Sequence, residues 1–294
     1  MLFEEWVKDD AKVILFDGGM GTEIFKRGIR PGKLPDLLNI EEPKVISDIH
    51  RAYFDAGSDM VQTNTFGSSF LNLKNYKLEE RIVEINKNAI ENARKICPER
   101  GLIVGDIGPS GHFKPPVGDA TPDKWYESFL KQTEVLESGI DVWHIETISD
   151  IEEMKAAIMA IKKVSSKPII SSMTYKKTKR GFYTIMGNSL EECIHIQENE
   201  KVSVIGSNCT LGSFDMIELL REMKNLTEMP ISIKPNAGKP HVDPDGKTYY
   251  EQPVEEFVDH IKNILELGVK IVGGCCGTTP ITINGIYKLI QSLK

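Results

Sequence analysis

The amino-acid sequence predicts an α/β protein folded as a single (β/α)8 (TIM) barrel domain over residues 1–294, and three observations support this fold class. Eight short apolar runs each precede a segment with helical spacing, an alternation typical of a parallel sheet. The chain length of 294 residues fits one barrel domain, which commonly has about 250 residues. No linker or change in composition divides the sequence.

The apolar runs predict strands at 12–16, 60–63, 102–107, 142–145, 168–173, 202–206, 231–234 and 271–272. Apolar residues at helical spacing predict helices at 46–56, 82–96, 125–137, 154–164, 190–198, 214–224, 254–267 and 280–293. Gly57 is a plausible stop for the first of these helices. The lysine-rich segment 174–189 is predicted to be a solvated flap, and 241–252 a polar loop.

Polar residues and cysteines follow the predicted strands. In a barrel, the C-terminal strand ends share one face, and barrel enzymes place their chemistry there. The sequence therefore predicts a functional site at this face, built from Asp17, Thr63, Asn64, Asp106, Glu146, Asn208, Cys209, Asn236, Cys275 and Cys276.

Three of the five cysteines follow strands in this way and predict a zinc site. Side chains alternate between the two faces along a strand. Cys275 and Cys276 can therefore contact one common ligand only if the backbone leaves strand geometry. The flanking glycines permit that departure. Catalytic zinc takes three protein ligands and keeps a fourth position open. Taken alone, Cys209 is better explained as a small packed residue, but the three cysteines together favour metal.

Composition excludes several classes of partner. The net charge of −7 gives no electrostatic footprint for nucleic acid or an anionic membrane. No apolar run approaches the roughly 20 residues of a membrane span, and residues 1–10 do not have the pattern of a secretory signal. We expect a soluble, cytoplasmic protein, where thiols stay free or bind metal.

The glycine-rich segment 17–22 follows the first predicted strand. Its backbone N–H groups could cradle an anion such as a carboxylate. The glycine spacing does not match the fingerprint of dinucleotide-binding folds.

Together these motifs resemble the zinc-dependent homocysteine S-methyltransferase family. The matching segments, all in family order, are 17–22, 62–66, 108–109, 146–147, 206–209, 234–238 and 273–278. The pattern is most similar to the homocysteine-binding module of cobalamin-dependent methionine synthase. The family also contains betaine-dependent and S-methylmethionine-dependent enzymes.

The resemblance implies a catalytic zinc ion held by Cys209, Cys275 and Cys276, with the homocysteine sulfur as the incoming ligand and methionine as the product. It also implies that Asp17 and Glu146 face the substrate ammonium, while backbone at Gly18, Gly19 and the Thr63 region meets the substrate carboxylate. Asn64 and Asn208 belong to the same implied substrate site, and Asn236 is a candidate fourth zinc ligand.

Two residues on one predicted strand have alternative explanations. Glu146 could form a structural ion pair in the barrel mouth instead of binding substrate. His144 lies two residues earlier and should face the same way. We interpret His144 as a hydrogen-bonded core histidine, because zinc activation removes the need for a general base.

The expected methyl donor is a methyl-corrinoid carried by another domain or protein, with S-methylmethionine as the alternative. Segments 109–122, 176–189 and 239–252 could receive a corrinoid protein or cover a small sulfonium. A sulfonium favours aromatic or carboxylate partners, and 176–189 offers only Phe182 and Tyr183 as aromatic residues, which favours the corrinoid.

Three further hypotheses compete with a methyltransferase. A non-catalytic zinc-binding barrel predicts a fourth protein ligand and no dependence on homocysteine. A phosphate-binding barrel would use Gly273 and Gly274 and leaves the cysteines unexplained. A vicinal-thiol redox protein does not fit, because adjacent cysteines are not the Cys-x-x-Cys spacing of such proteins.

Overall fold

Eight parallel strands form the centre of the computed structural model, which describes residues 2–29, 34–242 and 248–293. Their order around the sheet is β1-β12-β9-β8-β5-β4-β3-β2, and a parallel bridge between Phe16 and Met60 joins β1 to β2. The strands therefore form a nearly closed barrel. They are β1 (Ile14–Leu15), β2 (Met60–Gln62), β3 (Leu102–Ile107), β4 (Val142–Ile148), β5 (Ile169–Met173), β8 (Val204–Gly212), β9 (Ile231–Asn236) and β12 (Ile271–Val272).

Helices connect these strands and surround them. They are α1 (Leu2–Lys8), α2 (Met20–Lys26), α3 (Leu38–Glu41), α4 (Pro43–Asp55), α5 (Phe70–Asn75), α6 (Ile82–Arg94), α7 (Pro122–Leu136), α8 (Ile151–Val164), α9 (Leu190–Asn199), α10 (Ser213–Leu226), α11 (Val254–Glu266) and α12 (Pro280–Ser292). Short 3₁₀ helices cover Pro35–Leu37, Glu79–Arg81 and Glu137–Gly139. The predicted barrel fold is confirmed.

Side-chain caps fix where several helices begin. Thr121, Asp150, Ser189 and Thr279 each accept a hydrogen bond from a backbone N–H of the first helical turn. At Thr279 the cap belongs to a capping box with Thr282, and Pro280 occupies the first helical position. Helix α12 therefore starts directly after the cysteine turn and limits how far that turn can move.

The barrel interior is apolar at one end and polar at the other. At the N-terminal end of the strands, Phe3 and Trp6 of α1 pack against inward-facing residues such as Phe16, Val104 and Val142. Two residues further along β2, β3, β4 and β5, the inward positions become polar, at Gln62, Asp106, His144 and Ser172, because side chains of the same face recur at every second residue. The buried polar set is Asp17, Gln62, Asp106, His144, Glu146, Ser172 and Lys234.

Two predicted loops contain strands. Segment 174–189, predicted as a solvated flap, holds the antiparallel pair β6 (Lys176–Thr178) and β7 (Gly181–Tyr183). Phe182 is buried in the core, so this part of the flap prediction is wrong. In the second segment, β10 (His241–Val242) pairs with β11 (Thr248–Tyr249), and 243–247 lie outside the described residues.

One smaller expectation changes. Cys97, placed in a helix by the sequence pattern, follows the end of α6 at Arg94, whereas Cys193 does lie in α9. Within the described ranges, every helix is too short or too polar to span a lipid bilayer.

Candidate metal centre and substrate pocket

The turn after β12 brings two cysteines back toward the barrel axis. The N–H of Cys275 donates to the carbonyl of Pro235 at 2.8 Å, and the carbonyl of Cys276 accepts from the N–H of Ala237 at 2.9 Å. On the other side, the N–H of Gly274 donates to the carbonyl of Asp17 at 2.9 Å. The turn is thus hydrogen-bonded to the ends of β9 and β1.

Glycine is required in this turn for two separate reasons. A Cβ atom at Gly274 would lie 2.3 Å from Thr278 Oγ1, which is closer than any real contact. Gly277 has a φ of +84°, a conformation that side-chain-bearing residues rarely adopt. These two glycines let the chain leave strand geometry between Val272 and Thr278, as the sequence pattern predicted.

Strand β8 is interrupted at the third cysteine. Cys209 and Thr210 have φ values of 58° and 59°, and the pairing with β9 shifts register between Asn208 and Gly212. Left-handed conformations are unusual for residues other than glycine, especially for β-branched threonine. A hydrogen bond of 2.6 Å between the Thr210 and Thr174 hydroxyls supports the bulge. The bulge aims Cys209 at the cysteine turn.

The three thiols form one cluster. The Sγ atoms of Cys209 and Cys276 are 3.9 Å apart, and all three sulfurs lie within 4.8 Å of one another. Hydrogen bonds from Cys209 and Cys275 lower the pKa of Cys276 to about 3. The pKa of Cys275 is raised well above its usual value, because its thiol is hydrogen-bonded to Cys209 and Cys276. The three sulfurs are thus close enough to stabilise negative charge on Cys276.

This donor set fits a zinc ion. Thiolates are preferred zinc ligands, and three protein ligands leave a position for substrate. A dication would replace the thiol protons that now hold the sulfurs together. Asn236 ends β9 beside this turn, and its Oδ1 is buried and accepts no hydrogen bond within the described part of the chain. An uncommitted oxygen at this position is compatible with its candidate role as a fourth ligand.

Tyr250 contacts the cluster, although no sequence motif indicated a role for this residue. Its ring covers the cysteine turn, because a Cβ atom at Gly277 would lie 2.4 Å from Tyr250 Cγ. Its hydroxyl is hydrogen-bonded to Cys276, and burial followed by the charge of that sulfur raises the Tyr250 pKa. The segment after β9 thus covers one side of the thiols.

Asn208 connects the thiol cluster to the Glu146 carboxylate. Its Nδ2 lies 2.9 Å from Glu146 Oε2 and 3.7 Å from Cys275 Sγ, while its Oδ1 accepts from the N–H of Thr147 at 2.8 Å. Thr147 itself has a φ of 62°, so both sides of this contact depart from ordinary strand geometry. The carboxylate and the sulfurs therefore share one polar neighbour.

Glu146 is buried and accepts hydrogen bonds from neutral amides. Gln62 Nε2 donates to its Oε1 at 3.0 Å, and Asn208 donates to its Oε2. Burial raises the Glu146 pKa from 4.5 to about 7. Among the described residues, no lysine or arginine lies within ion-pair distance of this carboxylate, so a structural ion pair does not explain its position.

Asp17, by contrast, already has a cationic partner. Its Oδ1 is 3.1 Å from Lys234 Nζ, and its Oδ2 accepts from the N–H of Gln62 at 2.8 Å. Burial alone would lower the Lys234 pKa. The negative charges of Asp17 and then Glu146 outweigh burial and hold the Lys234 pKa above its usual value. Lys234 also lies 3.7 Å from the centre of the Phe16 ring.

His144 lies in the same polar layer. Its Nδ1 is 3.2 Å from Gln62 Oε1, and its Nε2 is 2.9 Å from the Ser172 hydroxyl. Burial and then the Lys234 charge lower the His144 pKa well below 6.5, so the ring is neutral. The structure thus shows a hydrogen-bonded core histidine.

The remaining predicted substrate residues have structural partners. The Gly19 N–H donates to Thr278 Oγ1 at 3.1 Å. The Thr63 hydroxyl is 2.6 Å from that of Thr65, and Asn64 Nδ2 donates to the carbonyl of Pro35 at 2.9 Å. Gly18, Gly19 and Thr63 lie at the barrel mouth, whereas the Asn64 amide contacts the chain before α3.

The chain is similar to a known protein family and to several known proteins. The family model described as homocysteine S-methyltransferase matches residues 14–290. Methionine synthase of Mycobacterium tuberculosis is 30% identical over 307 aligned positions, and the match covers 96% of this chain and 25% of that protein. Methionine synthase of Mycobacterium leprae is 31% identical over 303 aligned residues, and the match covers 95% of this chain and 24% of that protein. The chain thus spans about a quarter of the length of these curated relatives.

Solved structures show the same fold. The metallated form of the homocysteine methyltransferase MmuM from Escherichia coli superposes with a TM-score of 0.81 at 21% identity, covering 98% of this chain and 99% of that chain. Its apo form gives a TM-score of 0.72.

Replacing Cys209 by Ala should remove bound zinc while the barrel stays folded, because the thiol lies in a bulge at the mouth and not in the core. Zinc per chain, measured by elemental analysis after purification without added metal, checks this expectation alongside the thermal unfolding midpoint. Cys97→Ala is the matched control, since Cys97 is partly exposed and lies outside the cluster. Cys193→Ala should also keep its zinc, but this buried residue packs in the core. Stoichiometric zinc in the Cys209→Ala protein would exclude Cys209 as a ligand.

Proposed function

The chain belongs to the homocysteine S-methyltransferase family, and we propose that it transfers a methyl group to the thiol of homocysteine, giving methionine. One observation carries this proposal. A cluster of three thiols and a buried carboxylate share Asn208, whose Nδ2 is 3.7 Å from Cys275 Sγ and 2.9 Å from Glu146 Oε2. Homocysteine has a thiol and an ammonium group on one short chain, which matches such a pair of neighbouring sites.

Cys209, Cys275 and Cys276 would hold zinc, which when bound deprotonates a coordinated thiol at a pH where a free thiol, with a pKa near 8.5, is mostly protonated. The protein's own residues position the substrate. Asn208 and Gln62 fix the Glu146 carboxylate, which receives the ammonium group. The glycine turn after β1, at Gly18 and Gly19, is the proposed place of the substrate carboxylate.

Replacing Glu146 by Gln should weaken homocysteine binding roughly ten- to a hundredfold, because a hydrogen bond to a charged group contributes about 1.5–3 kcal/mol and each 1.4 kcal/mol is tenfold in affinity. Zinc content should not change, since Glu146 is not among the proposed ligands. Titration calorimetry with zinc-loaded protein and metal analysis measure the two quantities.

The matched control for this variant is Glu153→Gln. Glu153 is also a buried carboxylate with a pKa raised by burial to about 7, but it lies on α8 and accepts hydrogen bonds from Ser110. This control should bind homocysteine as the unchanged protein does. Equal affinity in the Glu146→Gln protein would show that Glu146 is only structural.

We further propose that the methyl group comes from a methyl-corrinoid carried by another domain or protein. Support comes from the methionine synthases that the chain matches over about a quarter of their length. Large apolar side chains are also exposed after the strands and at the start of α10, at the face where the site opens; they are Phe66, Phe113, Val117, Ile185, Phe214 and Val242. A partner surface that covered these side chains would gain the free energy of burying them.

The donor can be tested by mixing zinc-loaded protein and homocysteine with either free methylcobalamin or S-methylmethionine and following methionine formation. We expect methionine with methylcobalamin, because the proposed face can receive a bulky donor. Turnover with S-methylmethionine and none with methylcobalamin would reverse the ranking. If neither donor gives methionine and homocysteine does not bind, the non-catalytic zinc-binding barrel is the better hypothesis.

A further inference from the structure

Two buried carboxylates in the polar layer of the barrel have no cation between them. Ligand atoms of Asp106, His144 and Glu146 lie within 4.8 Å of one another, on the adjacent strands β3 and β4. Asp106 is 1% exposed and Glu146 is 5% exposed, so solvent screens their repulsion poorly. A buried like-charged pair is unfavourable unless a proton or a cation is shared.

Asp106 has an unused acceptor in this cluster. Its Oδ1 is buried and has no hydrogen-bond partner in the described part of the chain. Its backbone is satisfied, since the N–H donates to Thr63 Oγ1 at 3.1 Å and the carbonyl accepts from Thr65 Oγ1 at 2.8 Å. A buried carboxylate oxygen without a hydrogen-bond donor loses its hydration without compensation, which favours binding of a donor at this atom. Burial and then the neighbouring Glu146 charge raise the Asp106 pKa well above its usual value.

The lysine of this layer does not supply the missing cation. Lys234 Nζ is committed to Asp17 Oδ1 at 3.1 Å and to Gln62 Oε1 at 2.7 Å. Asp17 is therefore the charge partner of Lys234, and its second oxygen is used by the N–H of Gln62. Lys234 still acts on Glu146 and Asp106 through its charge, but among the described residues these two carboxylates have no direct contact with a lysine or arginine.

A metal ion fits this pair less well than an ammonium group. A metal would need a ring nitrogen of His144, but the two nitrogens are hydrogen-bonded to Gln62 and Ser172. The third group of the cluster is thus occupied. An ammonium group needs only hydrogen-bond acceptors, and it can donate to both carboxylates without disturbing the histidine.

We propose that Asp106, together with Glu146, receives the α-ammonium group of the amino-acid substrate and makes the site selective for amino thiols over thiols that lack the amine. This inference rests on the proposed function. Asp17 is then a positioning residue that keeps Lys234 away from the ammonium site. Burial raises the pKa values of both carboxyls, so the pair favours one shared proton over two negative charges, and the ammonium group takes the place of that proton when it binds.

The test compares two ligands on zinc-loaded, full-length protein by titration calorimetry. One is homocysteine, and the other is 4-sulfanylbutanoate, which is homocysteine without its amino group. In the Asp106→Asn protein the Kd for homocysteine should rise about tenfold, as expected when a buried charge-assisted hydrogen bond is lost. The Kd for 4-sulfanylbutanoate should change by less than about twofold, because this ligand has no group to place at Asp106.

Two controls keep the result interpretable. Glu153→Gln changes a buried carboxylate of α8 that is hydrogen-bonded to Ser110 and is not part of the Asp106, His144 and Glu146 cluster, so it should leave the preference for homocysteine intact. If Asp106→Asn does not fold, as judged by its thermal unfolding, Asp106→Ser removes the same charge with a smaller side chain. Zinc per chain is measured for every protein.

The outcomes separate the two proposals. If unchanged protein binds neither thiol, the proposed function itself fails. If unchanged protein prefers homocysteine and Asp106→Asn keeps that preference in full, the role of Asp106 is wrong while the proposed function stands. An equal loss of affinity for both thiols would show a merely structural role, and a second metal ion per chain that disappears in Asp106→Asn would assign the pair to a metal instead.

Discussion

The whole site depends on two strands that abandon strand geometry at the barrel mouth. A regular strand would point Cys275 and Cys276 to opposite faces and would direct Cys209 away from both. Left-handed residues outside glycine cost about 1–3 kcal/mol each, and Cys209 and Thr210 are consecutive examples. The hydroxyl contact to Thr174 and the hydrogen bonds of the cysteine turn to Pro235 and Ala237 offset this cost. The surrounding barrel thereby imposes the thiol cluster before any ligand arrives.

The second constraint is charge inside a closed barrel. The apolar lower half, filled by residues such as Phe3 and Trp6, leaves the polar layer above it with little access to water. Ion pairs in such a place are stabilising only when every group has a partner. The Asp17–Lys234 pair meets that condition through Gln62, whereas Asp106 and Glu146 do not meet it in the free protein. A carboxylate pair without a cationic partner lowers the stability of the fold, and the same pair favours the binding of a cation.

Much of this could be predicted from the sequence, because the informative signals are local. Eight alternating units indicated the barrel, and glycines around Cys275 and Cys276 indicated a departure from strand geometry. Pairings between strands could not be predicted in the same way. Whether Lys234 meets Asp17, or Asn208 meets Glu146, depends on strand register and barrel tilt, which no local pattern encodes. Tyr250 was missed for a related reason, since a residue in a polar connection reaches the thiols only through the path of that connection.

The residues at the strand ends do not determine the identity of the methyl donor. Any donor must present its methyl group to one thiol at one position, so the strand-end residues that hold homocysteine serve every donor equally. The residues that distinguish donors must therefore lie on the connections after the strands, where Phe113 and Phe214 are exposed. An enclosing site for a small cation would turn such side chains inward over the thiols to exclude water. Phe113 is 41% and Phe214 67% exposed, and exposed apolar groups gain free energy only when another surface covers them.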